Sequence, residues 1–113
     1  WAMPHTIKSK SYVGQIWNAI HYYEDILSND SILIGDFNSH VMWDKERRPG
    51  NHSGVVSFLA ERNIFSVYHN VNSIEAGEEK EPTFYMYKNE TKPYHMDYCF
   101  ASKSLLKNCQ IPN

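Results

Sequence analysis

Between Ser9 and Leu27 the apolar side chains Tyr12, Val13, Ile16, Trp17, Ile20, Tyr23, Ile26 and Leu27 recur every three or four positions, with Glu24 and Asp25 on the wetter side. That spacing gathers them on one face of a helix, so an amphipathic α-helix is predicted here. Ser28-Asn29-Asp30 ends it. The run Ser31-Ile32-Leu33-Ile34-Gly35-Asp36 then predicts a short strand buried on both faces. Helix followed by strand implies α/β packing. Ser39 to Asn51 has no periodicity and carries Trp43, Lys45, Arg47, Arg48, Pro49 and Gly50, so it reads as a long polar loop just past the strand, where loops border sites.

A second helix is predicted from Ser53, whose hydroxyl can cap free backbone N–H groups, to about Asn63, with Val55, Val56, Leu59 and Ala60 turned inward. Ile64 to His69 reads as a short strand. Asn72 to Glu81 is acidic, lacks a core face and is expected to be a solvated loop. Thr83–Tyr87 and Tyr94–Ala101 are aromatic-rich and alternate, and the polar Lys88–Pro93 stretch between them predicts a hairpin. Trp17, Tyr22, Tyr23, Tyr85 and Tyr87 are expected to pack in the core or on the sheet rather than to form a stacking platform. No repeat or low-complexity tract interrupts the pattern.

Composition narrows the reading. At 113 residues and 13.2 kDa, with 42% hydrophobic, 14% aromatic and 21% charged residues, the chain has the apolar content for one folded domain or a piece of one, and disorder is a poor account of it. No apolar run reaches the ~18 residues of a membrane span, and no signal peptide is evident. The chain opens at Trp1, which is compatible with a targeting segment further upstream. A net charge of -2 and a pI of about 6.3 exclude a broad basic face that grips phosphates. They leave room for a substrate held by a metal ion and a few local cations. Cys99 and Cys109 lack the spacing of a metal site or a disulfide framework, and as reduced thiols they suit an intracellular home.

Two polar pairs stand out against apolar strands. Asp36 and Asn38 are two apart at a strand end, so in extended geometry both project to one face, and a carboxylate and an amide converge. A turn in which Asp36 begins the reversal and Asn38 satisfies loop backbone fits these residues equally well. In the second pair, His95 and Asp97 share a predicted strand face with Cys99 and Ala101, while Tyr94, Met96, Tyr98 and Phe100 share the other. A buried ion pair or an edge position is the plainer account. Taken together, two such pairs far apart in the chain can meet only in the fold, at the end of the sheet where α/β proteins place ligands.

Ile32-Leu33-Ile34-Gly35-Asp36-Phe37-Asn38-Ser39 is similar to the Gly-Asp-Phe-Asn motif of the endonuclease/exonuclease/phosphatase superfamily, which includes nucleases resembling DNase I and exonuclease III, neutral sphingomyelinases and inositol-polyphosphate phosphatases. His95-Met96-Asp97-Tyr98-Cys99-Phe100-Ala101-Ser102 resembles its following signature, a His or Arg before an Asp on a strand ending in Ala-Ser, and Pro82-Thr83-Phe84 falls at a Thr-Phe strand start. The resemblance implies half of a DNase I-like fold, a partial sandwich of two face-to-face sheets with helices outside. It implies a metal-dependent phosphoester hydrolase, with a lean toward a nuclease. Asp36 would orient or deprotonate the attacking water, Asn38 would contact the scissile phosphate, and Asp97 with His95 would stand near the metal, Asp36 and Asp97 serving as its ligands. Mg²⁺ or Mn²⁺ is the implied cofactor, bound weakly or not at all by this stretch alone.

The resemblance also marks departures. A metal-ligating Glu and an Asn of the family precede the first residue here, and its final Ser-Asp-His motif would follow Asn113. Trp1-Ala2-Met3-Pro4 stands where relatives place a catalytic His or Tyr; His5, beside it, reads first as a surface residue. His40 and His52 are expected to be solvated loop histidines, and Lys45, Arg47 and Arg48 a solvated cationic trio that could steer an anion. The alternative function is a non-catalytic interaction module that keeps the fold. With half a sandwich absent, exposed strand faces are expected to drive self-association.

Overall fold

The computed structural model describes residues 12–28, 30–44 and 50–112. Helix α1, Tyr12–Tyr22, turns Val13, Ile16, Trp17 and Ile20 onto the core as its apolar period requires. It stops earlier than the periodicity suggests. Residues 23–25 form a turn, Ile26–Ser28 a 3-10 turn, and Leu27 is buried beyond them. Residues 9–11 lie outside the described residues.

The next elements run β1 (Ile32–Asp36), a 3-10 turn (Val41–Trp43), α2 (His52–Ala60), β2 (Ile64–Ser66), α3 (Val67–Asn72), β3 (Phe84–Tyr85), β4 (Pro93–Tyr94), β5 (Asp97–Ser102) and α4 (Lys103–Leu106). Helix α2 is capped two residues before the one that the sequence favours: the Asn51 side chain accepts from the Gly54 N–H at 2.8 Å, and Asp44 accepts from the backbone N–H groups of His52 and Ser53, each at 2.9 Å. Three donors at the helix start are thereby satisfied by residues from the preceding loop.

Strands β1, β5 and β2 form an antiparallel sheet in the order β1-β5-β2, and β3 pairs with β4 in a separate two-stranded sheet. The protein is thus mixed α/β. The predicted hairpin is only partly realised, because β5 leaves the β3–β4 pair and inserts between β1 and β2. Val55, Leu59, Ile64 and Phe100 form the dry centre between helices and sheet, each side chain contributing about 1.5–3 kcal/mol by burial. Ile64–His69 divides, strand to Ser66 and helix after it, with the Ser66 hydroxyl as N-cap of α3.

β1 is buried on one face only. Leu33 packs inward opposite Phe100, whereas Ile32 and Ile34 are 61% and 77% exposed on the outer face beside Ala101 and Cys99. The same-sheet helices cover one side, and nothing among the described residues covers those two side chains on the other. Tyr22 and Tyr87, expected to pack, are 81% and 83% exposed.

Candidate functional site

The register of β1 against β5 sets Asp36 directly opposite Asp97, at the carboxyl end of β1 and the start of β5. Opposed residues in an antiparallel ladder project to the same face with Cβ atoms about 4.5–5.5 Å apart. Two carboxylates therefore share the outer face where the sheet ends. Like charges so placed repel unless a cation or solvent intervenes, and both residues are reachable by solvent, Asp97 being exposed and Asp36 half-buried.

Asn38 does not continue the strand. Phe37 turns inward against Tyr98 and Phe100, with ring centres 5.4 and 5.5 Å away, and Asn38 adopts a left-handed backbone, φ 47°. Its N–H donates to Asp36 Oδ1 at 2.8 Å. The turn account of Asp36 is thus realised in part, and the expected same-face projection of Asp36 and Asn38 in extended geometry is not. The second Asp36 oxygen makes no hydrogen bond among the described residues. Gly35, just before, has φ 153°, which L-residues disfavour, while a Cβ there would meet no atom within 4 Å. Backbone conformation, not crowding, calls for glycine.

His95 and Asp97 also part company. The strand begins at Asp97, so alternation does not extend to His95, which is buried with its ring centre 5.2 Å from Tyr98 and 4.7 Å from Tyr68. His95 Nδ1 lies 2.9 Å from the Glu81 carbonyl. A carbonyl only accepts, so Nδ1 carries a proton, and in the neutral tautomer this selects, Nε2 is the acceptor. The Thr83 hydroxyl oxygen accepts from the Met96 and Asp97 N–H groups at 2.9 and 3.1 Å and fixes the start of β5.

Beneath the carboxylates lies a network that the sequence did not announce. The Tyr98 hydroxyl lies 2.9 Å from the Ser39 carbonyl and 3.0 Å from that of His95, joining the segments that follow β1 and precede β5. Burial, reinforced by the charges of Glu79, Asp97 and Asp44, pushes its pKa up, so it remains a donor. Glu79, in the acidic stretch expected to be solvated, has a side chain only 3% exposed. Its two oxygens meet His40 Nε2 at 2.9 Å and His69 Nε2 at 2.6 Å, and Oε2 also accepts from the Gly77 N–H at 2.9 Å. Burial alone would raise this carboxyl; the hydrogen bonds from His40, its own N–H, His69 and Gly77 outweigh that and bring it down to about 2. His40 and His52 are likewise buried rather than solvated. His52 Nδ1 pairs with the Ser39 hydroxyl at 2.9 Å, and burial lowers its pKa to about 4 against the pull of Asp44.

No family model matches this chain, and no curated protein matches it either. Among the described residues no three His, Cys, Asp or Glu side chains form a group able to hold a metal ion. The two imidazoles at Glu79 point at separate oxygens of one carboxylate, with His40 Nδ1 accepting from the Met42 N–H at 3.0 Å and His69 Nδ1 paired with the Ser66 hydroxyl at 2.6 Å. They serve as fasteners for the loop. Trp1, His5, Lys45, Arg47 and Arg48 lie outside the described residues. No described helix is long and apolar enough to cross a membrane. Nothing in the sequence pattern singled out Glu79, because one buried carboxylate within a run of four acids over Glu75–Glu81 leaves no periodic signal.

Proposed function

We propose that this chain is part of a metal-dependent phosphoester hydrolase of the endonuclease/exonuclease/phosphatase type, a phosphodiesterase with nuclease-like chemistry, built on half of a DNase I-like sandwich. The observation that carries the reading is the pairing of Asp36 with Asp97 across β1 and β5, beside an Asn38 held by the Asp36 carboxylate. Asp36, Asp97 and the Asn38 amide offer hard oxygen donors, the right chemistry for Mg²⁺ or Mn²⁺, though fewer than the about six oxygens such an ion takes. When bound, the ion would polarise the phosphoryl oxygen and acidify a water.

The chain's own residues do the rest. Asp36 has one oxygen occupied by the Asn38 N–H and one free to take a proton from an attacking water. Asn38, turned out of the strand, offers an amide N–H donor to a phosphate oxygen. Asp97 shares the ion or orients that water. His95, two residues before Asp97, is held by its Nδ1 hydrogen bond to the Glu81 carbonyl, which selects Nε2 as the acceptor of the neutral ring. The test is hydrolysis of a generic phosphodiester by the whole protein, with Mg²⁺ or with EDTA. Metal-dependent turnover that falls ~10²–10⁴-fold in Asp36→Ala, with unchanged circular dichroism, is expected. Unaltered turnover in that variant removes the role given to Asp36, and no turnover, or activity indifferent to EDTA, removes the reading.

The exposed Ile32 and Ile34 favour a second reading, an interaction module that keeps the fold without catalysis. It predicts no metal-dependent turnover in the whole protein and a partner that is lost on Ile34→Lys.

A further inference from the structure

A cavity of about 350 Å³ opens beside the β3–β4 pair, walled by Pro82, Tyr85, Pro93 and Tyr94, with His95 and Lys80 among its polar lining. Its volume is in the ~300–1,000 Å³ range of small-ligand pockets. The chain connects it closely to the phosphoester site: His40 and His95, both in its wall, are two residues from Asn38 and Asp97. Tyr85 is 45% exposed, and Trp43 backs Tyr94 with ring centres 5.3 Å apart.

We infer that this cavity is a subsite for one flat nitrogenous ring, an unstacked nucleobase flanking the scissile phosphate. Three features carry this. The walls are rings of Tyr and Pro, which present flat apolar faces and suit stacking better than they suit a polyhydroxylated ring. His95 supplies a hydrogen-bond acceptor: its Nδ1 proton is committed to the Glu81 carbonyl, so in the neutral ring Nε2 can accept from a ring N–H or amino group. The charges in the wall disfavour a multiply phosphorylated ring inside the cavity, whereas a neutral base can enter with its phosphates left outside. Among the described residues Lys80 is the one Lys or Arg in the wall, against Glu81, Glu90 and the clamped Glu79, so an inositol polyphosphate would meet net repulsion from these groups.

A base inside a duplex is stacked on its neighbours and cannot enter such a cavity without being extruded, so unpaired strands are the substrates that fit. The assignment rests on the hydrolase reading only for what happens to the neighbouring phosphate. Ring binding itself needs no metal.

The chain, kept in EDTA to prevent hydrolysis, is titrated with a single-stranded oligodeoxynucleotide and followed by NMR shifts of the Tyr and His resonances. Three further titrations use an abasic oligomer of equal length and charge, a duplex, and inositol hexakisphosphate. The single strand is expected to shift Tyr85, Tyr94 and His95. It should also bind about ten-fold tighter than the abasic oligomer, as one stacked base commonly provides. Tyr85→Ala, at an exposed position that leaves the core untouched, should erase that difference while leaving abasic binding as it was. Equal affinity for the two oligomers, tighter binding of inositol hexakisphosphate, or no response up to millimolar strand overturns the subsite. Asp36→Asn separates the two ideas. If it leaves metal-dependent turnover of the whole protein intact while the base-dependent shifts persist, the role of Asp36 falls and the ring subsite stands; if the whole protein shows no metal-dependent turnover while those shifts persist, the hydrolase reading falls and the subsite still stands.

Discussion

Asp36 carries the heaviest chemical load at the residue scale, because a single carboxylate both caps its own turn and faces a second carboxylate across the ladder. Relieving that repulsion is expected to show as a gain in stability without metal: Asp97→Asn should raise the unfolding free energy by ~0.2–1 kcal/mol in EDTA while weakening Mg²⁺ binding, measured by urea unfolding and calorimetric titration. His52 has a signature of its own. Its folded pKa of about 4 lies below the ordinary 6.5, so the unfolded chain takes the proton first. Its contribution is therefore whole above pH 6.5 and is lost as the pH falls toward 4, a change of about 3 kcal/mol for a shift of this size. Urea midpoints between pH 7 and pH 4.5 should fall in the wild type and stay nearly level in His52→Asn. Glu79, with a pKa lowered from 4.5 to about 2, gives way only in the more acidic window between those values.

At the element scale the critical piece is the loop from Ser73 to Pro82, which has no helix or strand of its own and is fastened through Glu79 to His40 after β1 and to His69 on α3. A charged hydrogen bond of this kind contributes about 1.5–3 kcal/mol, and removing the carboxylate leaves the buried His40 and the half-buried His69 without this acceptor. Glu79→Ala should therefore speed hydrogen exchange at Gly77 and Met42, near the two ends of the clamp, and lower the unfolding free energy by about 2–3 kcal/mol. Unchanged exchange at both amides would show that the loop is held by other contacts. The Gly77 N–H, aimed at Glu79, explains the glycine here: φ is 98°, and a Cβ would come within 3.2 Å of Val41 Cγ1.

At the scale of the whole molecule, a three-stranded sheet has helices on one face and Ile32 and Ile34 bare on the other. Apolar surface on a sheet whose edge strand β1 has no second strand partner among the described residues favours association with another surface. Light scattering across a dilution series is expected to show a concentration-dependent oligomer that Ile34→Lys converts to monomer. A wild-type chain that stays monomeric at millimolar concentration contradicts this.

Periodicity alone determined α1, the body of α2 and the strand at Ile32–Asp36, because each is set by apolar residues whose spacing matches a local repeat. The Gly35-Asp36-Phe37-Asn38 and His95-Met96-Asp97 segments were equally legible as places where polar residues interrupt apolar strands. Tertiary structure alone decided which of them meet. The antiparallel register put Asp97, not His95, opposite Asp36, and the left-handed turn at Asn38 redirected an amide that alternation would have aligned. It also buried His40, His52 and Glu79, which hydrophilicity marks as solvated, since a charged group is stable inside once its partners arrive from distant segments. Those partners are separated by tens of residues, as His40 and Glu79 are by 39, and no local pattern encodes a contact made only when the loop closes.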